Sequence, residues 1–147
     1  MNTFLTTLHV VAAVFIVGPM AILPQTALRA IRAKQGGTVR VLARSTMIFS
    51  LISLVVAVLG FGALATADKK DHLSITTPWV LISLIAYLLA FALSMVAVVP
   101  ALRSASEHLQ NPATQDLQSP DYKRIAMASG LVSLLLVVVV VLMVWKP

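Results

Sequence analysis

Four stretches of the chain carry no charged side chain, Met1–Leu28, Ser45–Ala67, Leu73–Leu102 and Ile125–Trp145, and shorter polar segments separate them. Each is 21 to 30 residues long, and about 20 apolar helical residues suffice to cross a hydrocarbon layer of roughly 30 Å. The pattern predicts an all-α integral membrane four-helix bundle of antiparallel up-down topology, with helices over about 4–34, 39–67, 74–109 and 120–145. Residues 1–147 then form a single transmembrane domain, because the remaining segments are too short for a separate soluble one.

Breakers and small residues refine the picture. Gly18-Pro19 and Pro24 lie inside the first run, and a proline removes a backbone donor and crowds the preceding turn, so a bend is expected in the inner half of helix 1. Gly36-Gly37 is expected to stop that helix and Thr38 to cap the second. In the third loop, Ser119 and Pro120 suit the cap and first position of helix 4. Ala57, Gly60 and Gly62 in helix 2, and Ala126, Gly130 and Ser133 in helix 4, are the expected packing faces, since small residues let membrane helices approach closely. Leu134–Val144 has no polar side chain and is expected to face lipid or a partner helix. Pro24 ahead of Ala27-Leu28-Arg29 is echoed by Pro100 ahead of Ala101-Leu102-Arg103. This fits either a parallel duplication of one hairpin or the ordinary recurrence of Pro and Arg at membrane exits.

Composition agrees with a membrane protein: 59% of residues are hydrophobic and 11% charged, against about 25% charged in soluble domains. The net charge of +6 sits beside apolar spans, where basic residues answer to anionic lipid and insertion topology, so nucleic acid is not an expected partner. The absence of cysteine removes disulfides, thiolate metal ligands and thiol nucleophiles together. Met1–Leu28 lacks a basic leading segment and exceeds the usual apolar core of a secretory signal, so it is expected to be retained as a span.

The basic residues also predict an orientation. Arg29, Arg32, Lys34, Arg40 and Arg44 fill the first loop with no acid among them, and Arg103, Lys123 and Arg124 fall on the same side. Loops 1 and 3 are therefore expected in the cytoplasm, with both termini and the Asp68–His72 turn outside. Trp79 and Trp145 would anchor the outer interface and Tyr122 the inner one.

Chemistry is sparse. All five acidic residues lie outside the four uncharged runs, which weighs against an ion-coupled transporter. A Ser-His-Asp set, a phosphate loop and zinc-ligand spacing are all missing from the sequence. The basic residues Arg29, Arg32, Lys34, Arg40 and Arg44 are candidate contacts for anionic lipid headgroups or an acidic partner, beyond their part in orientation. Asp68-Lys69-Lys70-Asp71-His72 reads as a solvated turn. His9 is the one ionisable group inside a predicted span. It reads either as a hydrogen-bonded packing residue or as a ligand-binding one; a second haem ligand is not evident, because His72 and His108 lie in loops on opposite sides. Met20, Met47, Met95 and Met127 serve equally well as apolar filler, and no cofactor is expected.

Leu8-His9-Val10-Val11 through Gly18-Pro19, Thr77-Pro78-Trp79, and Val99-Pro100-Ala101-Leu102-Arg103 resemble the uncharacterised four-helix bacterial integral membrane proteins grouped as a domain of unknown function. The resemblance implies the architecture and a bacterial plasma membrane and transfers no active site. Helix 1 alone is similar to that of small haem-linked or copper-linked four-helix membrane proteins, in which such a histidine can be an axial ligand. Together these readings lead to an expected non-enzyme. The first expectation is a subunit that docks on other integral membrane proteins and stabilises a larger assembly, such as an envelope lipid-transport complex. The alternatives are a haem- or copper-binding protein using His9, and a homo-oligomeric lipid-binding protein or small permease.

Overall fold

The computed structural model describes residues 3–67, 74–117 and 120–145. The expected features at Asp68–His72 and Ser119 lie outside those residues. Four helices are each long and apolar enough to cross a membrane: α1 (Thr3–Arg32), α2 (Gly36–Ala65), α3 (Pro78–Gln110) and α4 (Tyr122–Trp145). They pack as two antiparallel hairpins, α1 on α2 and α3 on α4. The hairpins join mainly through their basic-end halves, where Gly18–Arg32 of α1 meets α4 and Val99–Gln110 of α3 meets α2. At the opposite, terminal end, Thr3–Ala12 packs chiefly on α2 and Pro78–Leu93 chiefly on α4.

The core follows from that arrangement. Met20, Ala27, Val39, Ala43, Ala90, Val98, Ala101, Leu102, Ala105, Ile125 and Val132 are almost or wholly inaccessible. The many alanines bring helix axes close, which is how helices associate in a solvent as apolar as their own side chains. Burial is uneven: Thr3–Ala12 buries no side chain, whereas α3 is the most enclosed span. Trp79, expected as an exposed interfacial anchor, is 8% exposed and sits inside the bundle, while Trp145 is 75% exposed.

The prolines are absorbed by a change of helical winding. Ala13–Val17 of α1 and Ser94–Val98 of α3 are π-helical, and in each a proline stands two residues beyond, Pro19 and Pro100. Proline cannot donate to the carbonyl four residues back and its ring crowds that group. Widening the turn relieves the crowding, with Gly18 N–H donating to the Ala13 carbonyl and Val99 N–H to that of Ser94. By position relative to these π-turns it is Pro19, not Pro24, that corresponds to Pro100, and Pro24 is a buried residue within α1.

Two boundaries depart from expectation. Helix α1 ends before the glycines, in a Schellman turn: Gln35 N–H donates to the Ala30 carbonyl and Lys34 N–H to that of Ile31. Lys34 takes φ of 56°, the left-handed conformation that glycine normally supplies. Gly36 and Gly37 then open α2, and Thr38 lies inside that helix, so Thr38 is not its cap. Gly36 is needed for close approach, since a Cβ there would stand 2.9 Å from Gln110 Cγ and 3.0 Å from Leu109 Cβ. Gln110 also donates to the Gly36 carbonyl at 3.2 Å. At the other boundary, α4 begins at Tyr122, with Ile125 N–H bonded to the Asp121 carbonyl, and Pro120 precedes it in a turn.

Candidate functional site

Polar side chains inside the spans are mostly satisfied by helix backbone. Thr46 and Ser83 donate to the carbonyls four residues back, those of Leu42 and Trp79. Ser53 donates to the Ser50 carbonyl at 2.6 Å, so the 2.8 Å contact between Ser53 Oγ and the Tyr87 hydroxyl is a bond from tyrosine to serine. Gln25 donates to Ser129, and Ser133 to the Ala21 carbonyl, tying α1 to α4. The buried hydroxyls of Ser50 and Ser94 have no hydrogen-bond partner among the described residues.

His9 packs against α2 with one ring nitrogen hydrogen-bonded and the other without a partner among the described residues. Its Nδ1 donates to the Val56 carbonyl at 2.9 Å, and the ring lies against Gly60, where a Cβ would be 2.8 Å from Cε1. A carbonyl only accepts, so Nδ1 bears the proton and, in the neutral ring, Nε2 carries the lone pair. Gly60, expected to bring helices together, does so by cradling this ring. Ala57 is half-buried against the core. A Cβ on Gly62 or Gly130 would meet nothing within 4 Å, so neither serves a close approach among the described residues. The buried face of α4 is Ile125, Ser129, Val132 and Leu136, with Ala126, Gly130 and Ser133 on its flank. Leu134–Val144 is largely exposed, apart from Leu136 in the core.

The basic residues separate into two groups. Arg29, Arg40 and Arg44 are exposed. Arg32 and Lys34, also exposed, line a half-open cavity of about 410 Å³ together with Ile31, Leu109, Asp116, Leu117 and Tyr122. The cavity lies where α1 and α3 end and α4 begins. The Arg32 guanidinium sits 5.2 Å from the Tyr122 ring centroid, within cation–π range. Lys34 Nζ is 3.4 Å from Asp116 Oδ1. The third loop is folded across this end by Ala113 N–H on Asn111 Oδ1, Thr114 Oγ1 on the His108 carbonyl, and a 3.3 Å contact of His108 Nε2 with the Leu117 carbonyl. The sequence pointed to Arg32 and Lys34, while Asp116 and Leu117 arrive through tertiary folding of that loop. His108 is spent on the same fold, and among the described residues no three His, Cys, Asp or Glu side chains group as a metal site.

No curated protein and no solved structure matches the chain significantly. The comparison that succeeds is with a family model: residues 3–147 match the one described as "Predicted integral membrane protein (DUF2269)", and with its four apolar helices the chain belongs to that family.

Proposed function

We propose that the chain is a non-catalytic membrane subunit that docks on a larger integral membrane assembly, for which a lipid-transport complex is the first class to test. The observation that carries this reading is the set Gly18, Gly62 and Gly130, which lie in the spans and face open space. Small residues are the groups through which membrane helices approach one another, and here they are unused by the chain's own packing. Helix α1 supports the same reading, with Phe4, Val14, Phe15 and Ile22 each more than 60% exposed. Purification from native membranes in mild detergent is expected to recover a stoichiometric integral membrane partner. Gly62→Leu and Gly130→Leu are expected to lose it while keeping helix content and melting temperature. A chain that elutes alone, or variants that keep the partner, would overturn the proposal.

The geometry of His9 favours a second reading, a haem-binding protein. A ring whose Nδ1–H is held by a backbone carbonyl has the fixed tautomer and orientation found in metal-ligating histidines. One nitrogen without a hydrogen-bond partner among the described residues suits single axial ligation, whereas a multi-ligand copper centre would need further ligands that do not group there among those residues. The pigment test is direct: an absorbance spectrum with a Soret band that disappears in His9→Ala supports the reading, and a spectrum without one removes it.

A further inference from the structure

We propose that the cavity at the basic end is a binding site for the phosphodiester of an anionic membrane phospholipid, held by Arg32 and Lys34 over the ring of Tyr122. This site is separate from the docking surface and stands or falls without it. Three observations carry it. First, depth: Ile31 and Arg32 end α1, Leu109 is next to the end of α3, and Tyr122 opens α4. The cavity therefore lies where the apolar spans stop, the level of lipid headgroups. Its wall combines Ile31, Leu109 and Leu117 with two cations, which suits a glycerol backbone below and a phosphate above. Second, charge: Arg32 and Lys34 against Asp116 leave one net positive charge in the lining, matching the single negative charge of a phosphodiester. The Lys34–Asp116 pair is exposed, its side chains 55% and 86% accessible, and such pairs exchange partners readily. Arg32 lies over Tyr122, a placement that leaves donors on the edge of the guanidinium free for a phosphate oxygen. Third, strain: Lys34 occupies the left-handed position of a Schellman turn that glycine fills at no steric cost. A strained residue persisting where a better one exists points to use of its side chain, and here the side chain is an ammonium over the cavity.

Basic pockets between membrane helices at the headgroup level recognise anionic lipid. The same phosphate chemistry could come from a soluble anion, and the test separates the two. The full-length protein in detergent is titrated with phosphatidylglycerol, with phosphatidylcholine, and with inorganic phosphate, and retained ligand is read by native mass spectrometry. Wild type is expected to retain one phosphatidylglycerol in preference to phosphatidylcholine and to ignore inorganic phosphate. Each cation removed is expected to weaken retention roughly fivefold, so R32Q with K34Q loses on the order of 30-fold. R40Q with R44Q, outside the cavity, is expected to retain it. Should the double variant fold poorly, Lys34→Gly relieves the backbone and is expected to lose about fivefold alone. Equal retention by Lys34→Gly and wild type, equal loss in R40Q with R44Q, or inorganic phosphate competing as well as lipid would each overturn the proposal.

Discussion

Lys34 can be tested by pitting backbone against side chain. At an ordinary helical site alanine is more stable than glycine by about 1 kcal/mol. At φ of 56° the order should invert, because a Cβ in the left-handed region costs roughly 1–2 kcal/mol, part of which glycine returns as unfolded-state entropy. Lys34→Ala and Lys34→Gly both lose the ammonium and its exposed contact with Asp116, which is worth only a few tenths of a kcal/mol. Their difference therefore isolates the backbone, and Lys34→Gly is expected to be more stable than Lys34→Ala by about 1 kcal/mol. In a chain of this size that corresponds to about 2–4 °C in melting temperature, readable by circular dichroism in one detergent. Both variants should lose the same phosphatidylglycerol retention. If Lys34→Ala melts at or above Lys34→Gly, the left-handed turn is not what holds this residue and the strain argument fails.

Further expectations concern packing. Gly60→Ala drives a methyl into the His9 ring and should destabilise the chain by about 1–2 kcal/mol; in a His9→Ala background the same change should be nearly silent, a coupling that a double-mutant cycle measures. Gly36→Ala meets Leu109 Cβ and Gln110 Cγ and should cost about 1–2 kcal/mol, whereas Gly37→Ala, in open space, should not destabilise, as paired thermal melts would show. Ser53→Ala strands the buried Tyr87 hydroxyl and should cost about 1–2 kcal/mol. By contrast, Ser94→Ala removes a buried hydroxyl with no partner among the described residues and should be neutral or stabilising by about 1 kcal/mol.

The spans were legible because crossing a bilayer demands about 20 apolar residues and nothing subtler, so each uncharged run marks one of α1 to α4, although α2 begins well before Ser45 and α3 continues past Leu102 to Gln110. What the runs could not show is how each face is used. Most positions in α1 and α4 are apolar, so periodicity cannot tell a buried stripe from a lipid-facing one; the fully buried face of α4 is Ile125, Ser129, Val132 and Leu136, and beside it Ser133 does bond across to α1 while Ala126 and Gly130 lie half-buried. Glycines misled for a related reason. Gly36-Gly37 reads as a stop, yet the stop is a left-handed lysine and Gly36 serves a contact with residues 109 and 110, distant in sequence. The partnership of His9 with Gly60 was likewise hidden, although both residues were singled out separately. The cavity was half visible: Arg32, Lys34 and Tyr122 stood out by type, whereas Asp116 and Leu117 depend on how the third loop folds back.

Four crossings bring the first and third loops to the same side of the membrane, the side the basic residues lead one to expect in the cytoplasm. Because the chain has no cysteine, single cysteines at Gln35, Thr66, Ser74 and Gln115 can be probed one at a time with a membrane-impermeant maleimide. In inverted membrane vesicles, positions 35 and 115 should label and 66 and 74 should not, with the reverse in right-side-out vesicles. Labelling of 35 and 66 from the same side, or of 35 and 115 from opposite sides, would contradict the four crossings; the whole pattern reversed would contradict the orientation.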